Sequence, residues 1–225
     1  LVFFRMNKNA YEHCHIGEKT FDLPAGIENL KNTLSDHFPE EEKNIHEYLS
    51  LVQKVNEELQ LIPKLKGLWQ KLTVPFRTKH FGKFALFPLK KVIGWHIKNP
   101  MLKAVLNIQC GDHGLSPNRA CFPVHCSVMG HYFNGGYYPM GGGGGIVKAM
   151  TNGIKKHGGE VRVQQNVQKI IIENKKAIGV ELENGQQIFA KNIISNADPT
   201  TTYLKLIGKE NISNSLLKKL QKTKY

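Results

Sequence analysis

Five consecutive glycines, Gly141 to Gly145, run straight into Ile146-Val147-Lys148 and a helical pattern. Glycine there lets a backbone approach a ligand closely, and the free N–H groups at a helix start suit an anion or a polar group. A phosphate loop is excluded, because it needs Gly-Lys-Ser/Thr after its spacers and this chain has Ile146-Val147-Lys148. A dinucleotide GxGxxG is excluded as well: Ile146 stands where the last glycine belongs, and no clear strand precedes the run. Two readings remain, a glycine-rich turn entering a helix that faces a ligand, and a mobile loop.

Other chemistry-bearing residues are sparse. The centre, residues 110–145, reads as loop, rich in Gly and Pro, and Asp112 is its only acid. His113, His125 and His131 follow it, each expected to be structural before catalytic. No HExxH and no nucleophile elbow occur. The four cysteines, Cys14, Cys110, Cys121 and Cys126, form no CxxC pair and are expected to be buried reduced thiols. No metal is expected, because no ligand pair has finger-like spacing. No catalytic residue can be named, so any chemistry is expected to come from a cofactor.

The elements that must hold these residues are legible from periodicity. Tyr11 to His15 and Lys19 to Leu23 read as a hairpin about Gly17-Glu18. Ile27, Leu30, Leu34 and Phe38 mark one face of a helix. Pro39 is expected to start a second helix, with Glu40 to Glu42 at its positive end and a stripe from Ile45 through Tyr48, Leu49, Val52, Val55 and Leu59 to Ile62. A third helix is expected over Ile146 to His157, stopped by Gly158-Gly159. Strands are expected at Val161 to Val163, Val167 to Glu173, Ala177 to Glu183, Gln187 to Ala190 and Asn192 to Ser195, with a tight turn at Asn184-Gly185. Asp198 is placed to cap a helix beginning at Pro199.

Composition bounds the function. Of 225 residues, 40% are hydrophobic and 22% charged, which excludes a disordered tail and a disulfide-dense mini-domain. No apolar run approaches the roughly 18 residues that would span a bilayer. The net charge is +13, carried by 31 Lys and Arg against 18 Asp and Glu, and only Arg5, Arg77, Arg119 and Arg162 are arginines. Nucleic-acid recognition favours Arg, and no RRM-like, KH or zinc-finger signature is present, so nucleic acid is not an expected partner. Residues 59–111 hold no acid and interleave lysines with Trp69, Phe76, Phe81, Phe84, Phe87 and Trp95. This is either a solvated face over core aromatics or a patch for the headgroup boundary of a membrane.

The order and spacing of several short motifs resemble the middle of the phytoene desaturase and retinol saturase family. They are Lys19-Thr20-Phe21-Asp22-Leu23-Pro24, Gly111-Asp112-His113-Gly114-Leu115-Ser116-Pro117, His131-Tyr132, Tyr137-Tyr138-Pro139-Met140-Gly141-Gly142, His157-Gly158-Gly159, Asn166-Val167 and Ser195-Asn196-Ala197-Asp198-Pro199. Together they cover most of residues 12–215. The resemblance implies a mixed α/β (α+β) fold: part of a GR2-type FAD/NAD(P)-binding domain plus a largely helical substrate domain. Residues 1–135 are then substrate domain, 136–198 the middle segment of the FAD-binding domain, and 199–225 a return to the substrate domain. The implied function is an FAD-dependent oxidoreductase acting on carbon–carbon double bonds of a lipophilic polyene, with NAD or NADP as a possible electron partner and peripheral membrane contact. Val167 is implied to meet the adenine end of FAD through its backbone. Tyr138, Pro139, Met140, Gly141 and Gly142 are implied to lie near flavin and substrate.

Two departures from the family matter: the N-terminal dinucleotide fingerprint and the C-terminal flavin-contacting segment are both missing. The chain, which starts at Leu1, is therefore expected to be an internal segment that binds FAD weakly or not at all by itself. The alternative function is a non-catalytic basic module that binds a membrane surface or nucleic acid. Substrate identity, reaction direction and compartment stay open.

Overall fold

A computed structural model describes residues 1–64 and 73–222. The expected role of Trp69 lies outside the described residues. Helix exceeds strand, in a mixed α/β arrangement. The chain divides into two compact units, Leu1–Ala149 and Met150–Tyr225.

The first unit is built around one long helix. Strands β2 (Glu12–Ile16) and β3 (Lys19–Leu23) form the expected hairpin, with Cys14 opposite Phe21. Alternation buries Cys14, Phe21 and Leu23 on one face. Helix α1 (Ile27–His37) buries Leu30 and Leu34, as its spacing requires. Pro39–Glu41 is a 3-10 turn, and helix α2 (Glu42–Leu61) begins only after it. The expected α-helical start at Pro39 is displaced because Glu41 leaves helical geometry (φ −109°, ψ 4°) and turns its carboxylate elsewhere. That carboxylate accepts the backbone N–H of Lys98 at 2.7 Å and the Asn44 side-chain amide at 2.6 Å, and also takes the N–H of Asn99.

Helix α2 buries Ile45, Tyr48, Leu49, Val52 and Val55, the core of the predicted stripe. Helices α3 (Val74–Arg77), α4 (Lys79–Phe84), α5 (Leu89–His96), α6 (Pro100–Leu106) and α7 (Cys110–His113) follow. Asn99 caps α6 by accepting the N–H groups of Met101 and Leu102 at 2.9 and 3.2 Å. Helix α8 (Phe122–Tyr132) lies within the stretch read as loop. It packs on α2, α4 and α5 and buries Phe122, Pro123, His125, Cys126, Met129 and Gly130. Burial on several sides erases the one-sided periodicity by which a surface helix is recognised. Gly130 is needed there because a Cβ would collide with the Asn56 side chain of α2.

Strand β4 (Tyr137–Pro139) pairs antiparallel with β1 (Phe3–Arg5). Helix α9 (Gly142–Lys156) follows and runs into the second unit. In that unit β5 (Val167–Glu173), β6 (Lys176–Leu182) and β7 (Gln187–Phe189) form an antiparallel meander. Its turns sit at Asn174-Lys175, both at positive φ, and at Asn184-Gly185. The strands expected at Val161 to Val163 and Asn192 to Ser195 do not form. A strand needs a neighbour for its backbone groups, and here Val163 and Ile194 are 76% and 94% exposed. Asp198 does cap: its carboxylate accepts the N–H groups of Thr200 and Thr201 at 2.7 and 3.2 Å, ahead of a π-helical stretch, Thr201–Leu206. Helix α10 (Asn214–Lys222) ends the described chain.

Candidate functional site

The predicted substrate residues come together as a strand, a turn and a helix start. Phe3 stands opposite Pro139, Phe4 opposite Tyr138 and Arg5 opposite Tyr137. The pairing is extended at both ends, Met6 N–H to Gly136 O and Met140 N–H to Val2 O, each 2.9 Å. Pro139 is buried, while Tyr138 and Met140 are 49% and 60% exposed. The Tyr138 ring leans on Phe4, centroids 6.0 Å apart, and its hydroxyl reaches over Gly142.

The glycine run is neither a mobile loop nor a turn that ends at Ile146. Only Gly141 precedes α9, and Gly142 to Gly145 form its first turn. A Cβ at Gly145 would strike the Met140 carbonyl oxygen, so a side chain there would have to displace the turn. Its own N–H donates to Gly141 O at 3.0 Å, which ties the turn to the helix. At Gly143 and Gly144 a Cβ would meet open space. The surface they leave is bare backbone, with free N–H groups, beside two exposed side chains, Tyr138 and Met140.

Val167 belongs to the second unit. It starts β5 opposite Leu182, is 37% exposed, and is followed by a bulge in the pairing. The structure brings the five residues from Tyr138 to Gly142 together and leaves Val167 in a different unit.

The first unit also holds a cavity of about 670 Å³ walled by Leu59, Phe81, Ala85, Cys121, Val124 and Val128. Its lining is chiefly apolar, which suits a lipophilic ligand better than a strongly polar one. The acid-free stretch divides between core and exposed surface. Phe84 is buried core. Phe76, Leu86 and Trp95 are 84%, 95% and 55% exposed, and Lys79, Lys83, Lys90 and Lys91 are exposed on the same stretch. No helix among the described residues is long and apolar enough to cross a membrane.

Two polar clusters were invisible as spacing. Tyr11 stacks on Tyr132 with ring centroids 4.9 Å apart. Gln109 donates to the Tyr11 hydroxyl at 2.7 Å, and Tyr132 donates to Asp112 at 3.1 Å. Burial, followed by the charge of Asp112, pushes the Glu12 carboxyl above its ordinary range. In the other cluster His113 Nε2 lies 3.4 Å from His125 Nδ1, and His125 Nε2 donates to the Leu106 carbonyl at 3.1 Å. Burial, then the neighbouring His113, lowers His125 to about 4, so the ring is neutral at pH 7. His131 is exposed and joins neither cluster. The partners are 12 to 121 residues apart in the chain. Only the neighbourhood of Asp112 and the three histidines hinted at them. All four cysteines are free, Cys14 and Cys126 fully buried.

The site is thus a strand, a glycine turn and a bare helix start, in a mixed α/β chain whose first unit also holds an apolar cavity. No family profile matches the chain. Curated proteins do. All-trans-retinol 13,14-reductase of Danio rerio is 31% identical over 218 residues, 90% of this chain and 36% of that protein. Prolycopene isomerase, chloroplastic, of Daucus carota is 29% identical over 215 residues, 85% of this chain and 34% of that protein. The Rattus norvegicus retinol reductase is 29% identical over 202 residues, covering 85% of the chain. The chain spans about a third of the length of these relatives. Most of this chain is thus similar to a segment of proteins named as a retinol reductase and a prolycopene isomerase.

Proposed function

We propose that this chain is part of an FAD-dependent oxidoreductase that acts on carbon–carbon double bonds of a lipophilic polyene. The observation that carries the reading is the match of 90% and 85% of the chain to relatives whose names specify a retinol and a carotenoid. The same match makes a non-catalytic basic module the weaker alternative. The apolar cavity in the first unit supports a substrate that water does not hold.

The residues present fit a flavin dinucleotide in one respect: the backbone at Gly143 and Gly144 is uncovered and a ligand can lie directly on it. On this assignment the turn from Tyr138 to Gly142 lies near flavin and substrate, and the Val167 backbone holds the adenine end. The segments that go with it are 1–135 and 199–225 for the substrate domain and 136–198 for the flavin domain. Bound FAD would supply hydride exchange with a carbon of the polyene. The chain's own part is positional. Pro139 fixes the strand, and Tyr138 and Met140 offer apolar faces along which a polyene can be aligned.

A polyene dissolves in lipid, so the exposed Phe76, Leu86 and Trp95 among lysines are assigned to a membrane surface. Co-sedimentation with vesicles is expected to rise with anionic lipid and fall with salt, and binding indifferent to both removes this assignment.

The test of function uses the longest reading frame that contains this chain. Purified protein is expected to carry flavin and to bleach or shift the absorbance of a supplied retinoid or carotenoid. A colourless protein, or a yellow one that leaves every such polyene unchanged, overturns the reading.

A further inference from the structure

We propose that Cys110, His113 and His125 form a site for one divalent transition-metal ion of the zinc class, with the fourth coordination position open. Their ligand atoms, one Sγ and two ring nitrogens, all lie within 4.8 Å of one another. The absence of finger-like spacing in the sequence does not bear on this cluster. Its ligands come from two helices, α7 and α8, that only the fold brings together.

Three observations carry the site. First, the His113 Nε2 to His125 Nδ1 distance is 3.4 Å. Two imidazoles on a tetrahedral zinc, with bonds of about 2.0–2.1 Å, place their nitrogens roughly 3.3 Å apart. Second, His125 is buried and already held as metal-bound histidines are held. Its Nε2–H donates to the Leu106 carbonyl, which leaves the Nδ1 lone pair facing His113. Third, Cys110 supplies a soft ligand from the first residue of α7, and its thiol makes a long 3.8 Å contact to Asn107. The donor set is N, N and S. That set suits zinc or cobalt(II) rather than calcium or magnesium, which take oxygen.

Without metal the same geometry is a hydrogen-bond chain. The Leu115 N–H donates to His113 Nδ1 at 3.3 Å, so His113 carries its proton on Nε2 and donates to His125. Binding therefore requires two proton movements. The Cys110 thiol loses its proton to solvent as the S–metal bond forms. His113 moves its proton from Nε2 to Nδ1, giving up the long Leu115 contact, so one proton is released per ion bound. The ion would join the short helix α7 to α8 and to the carbonyl end of α6.

The test is titration of the metal-free 225-residue chain with Co²⁺, followed by absorption spectroscopy, with far-UV circular dichroism confirming the fold of each variant. One equivalent is expected to give intense tetrahedral d–d bands and a thiolate-to-cobalt charge-transfer band, and Zn²⁺ is expected to displace both. Cys110→Ser is expected to remove the charge-transfer band, and His113→Gln to weaken binding by at least about tenfold. Cys121→Ser, outside the cluster, is expected to leave the spectrum unchanged. A folded chain whose cobalt spectrum stays that of the aqueous ion overturns the proposal. So does a tetrahedral spectrum that survives both Cys110→Ser and His113→Gln.

Discussion

The two units of this chain bury apolar surface on very different scales. In Leu1–Ala149 one cluster runs from Tyr11 through α1, α2, α5 and α6 to Met129, with Tyr48, Leu49, Val52, Phe122 and Leu102 fully buried. In Met150–Tyr225 the meander buries Ile170 and Leu182, while Val161, Val163, Phe189 and Ile194 are exposed. A layer of helices around one central helix closes on itself. A single sheet has two faces and needs a second layer on each apolar one. The lesson is that local order and burial part company: the meander has tight turns and paired strands with little beneath them.

The largest effects are therefore expected in the first unit. Phe122 is fully buried against Tyr48 and Phe84, with ring centroids 6.1 and 5.7 Å away. Phe122→Ala is expected to cost about 3–5 kcal/mol, and Ile170→Ala about 2 kcal/mol, the low end for such truncations. Trp95 is in the first unit, and residues 150–225 contain no tryptophan. Fluorescence in a urea titration thus reports that unit alone, and amide hydrogen exchange over residues 167–189 reports the other. Phe122→Ala should move the fluorescence transition and Ile170→Ala only the exchange. If either variant moves both, the units unfold together and the contrast fails.

A smaller effect separates the units by pH. Burial alone would raise the Glu41 carboxyl, but donation from Asn44, Asn99 and Lys98 outweighs it and holds the group below its ordinary value of 4.5. A depressed pKa means stability that is present above pH 4.5 and lost as pH falls through the lower, folded value. The first unit should therefore weaken in acid below pH 4.5. Glu41→Gln should cost about 2 kcal/mol at pH 7 and flatten that acid limb. An unchanged acid limb in Glu41→Gln would show that another group governs it.

Gly145→Ala comes next. The new methyl would press on the Met140 carbonyl and part the helix start from the turn. A cost of about 1 kcal/mol is expected, with faster exchange at the residue-145 amide that now donates to Gly141. Wild-type exchange there would mean that the turn relaxes without strain.

What could be read before the fold was known follows from range. The β2–β3 hairpin, α1, α2 and the Asn184-Gly185 turn are written in neighbouring residues, and each stands within a few residues of its expected bounds. Helix α8 was hidden because its burial is not one-sided. Val161 to Val163 and Asn192 to Ser195 were over-read, because an apolar run states a wish for a partner without showing that one exists. The run from Tyr138 to Gly142 was legible as a candidate because it is contiguous. The pairs Tyr11–Tyr132 and His113–His125 were not, because their meeting depends on how α8 packs against the start of the hairpin and against α7.

The smallest expected effect is the sharpest check on the contrast. Val163 and Ile194 are apolar but 76% and 94% exposed, so replacing them removes almost no buried surface. Val163→Ser and Ile194→Ser should each change stability by no more than about 0.5 kcal/mol, measured by exchange over residues 167–189 in dilute protein. The same variants should matter more as concentration rises if these side chains meet those of another copy. A loss above about 1 kcal/mol in dilute solution would mean that they are covered within the chain itself. The second unit would then own a core that its meander does not display, and the difference in burial between the two units would shrink to one of degree.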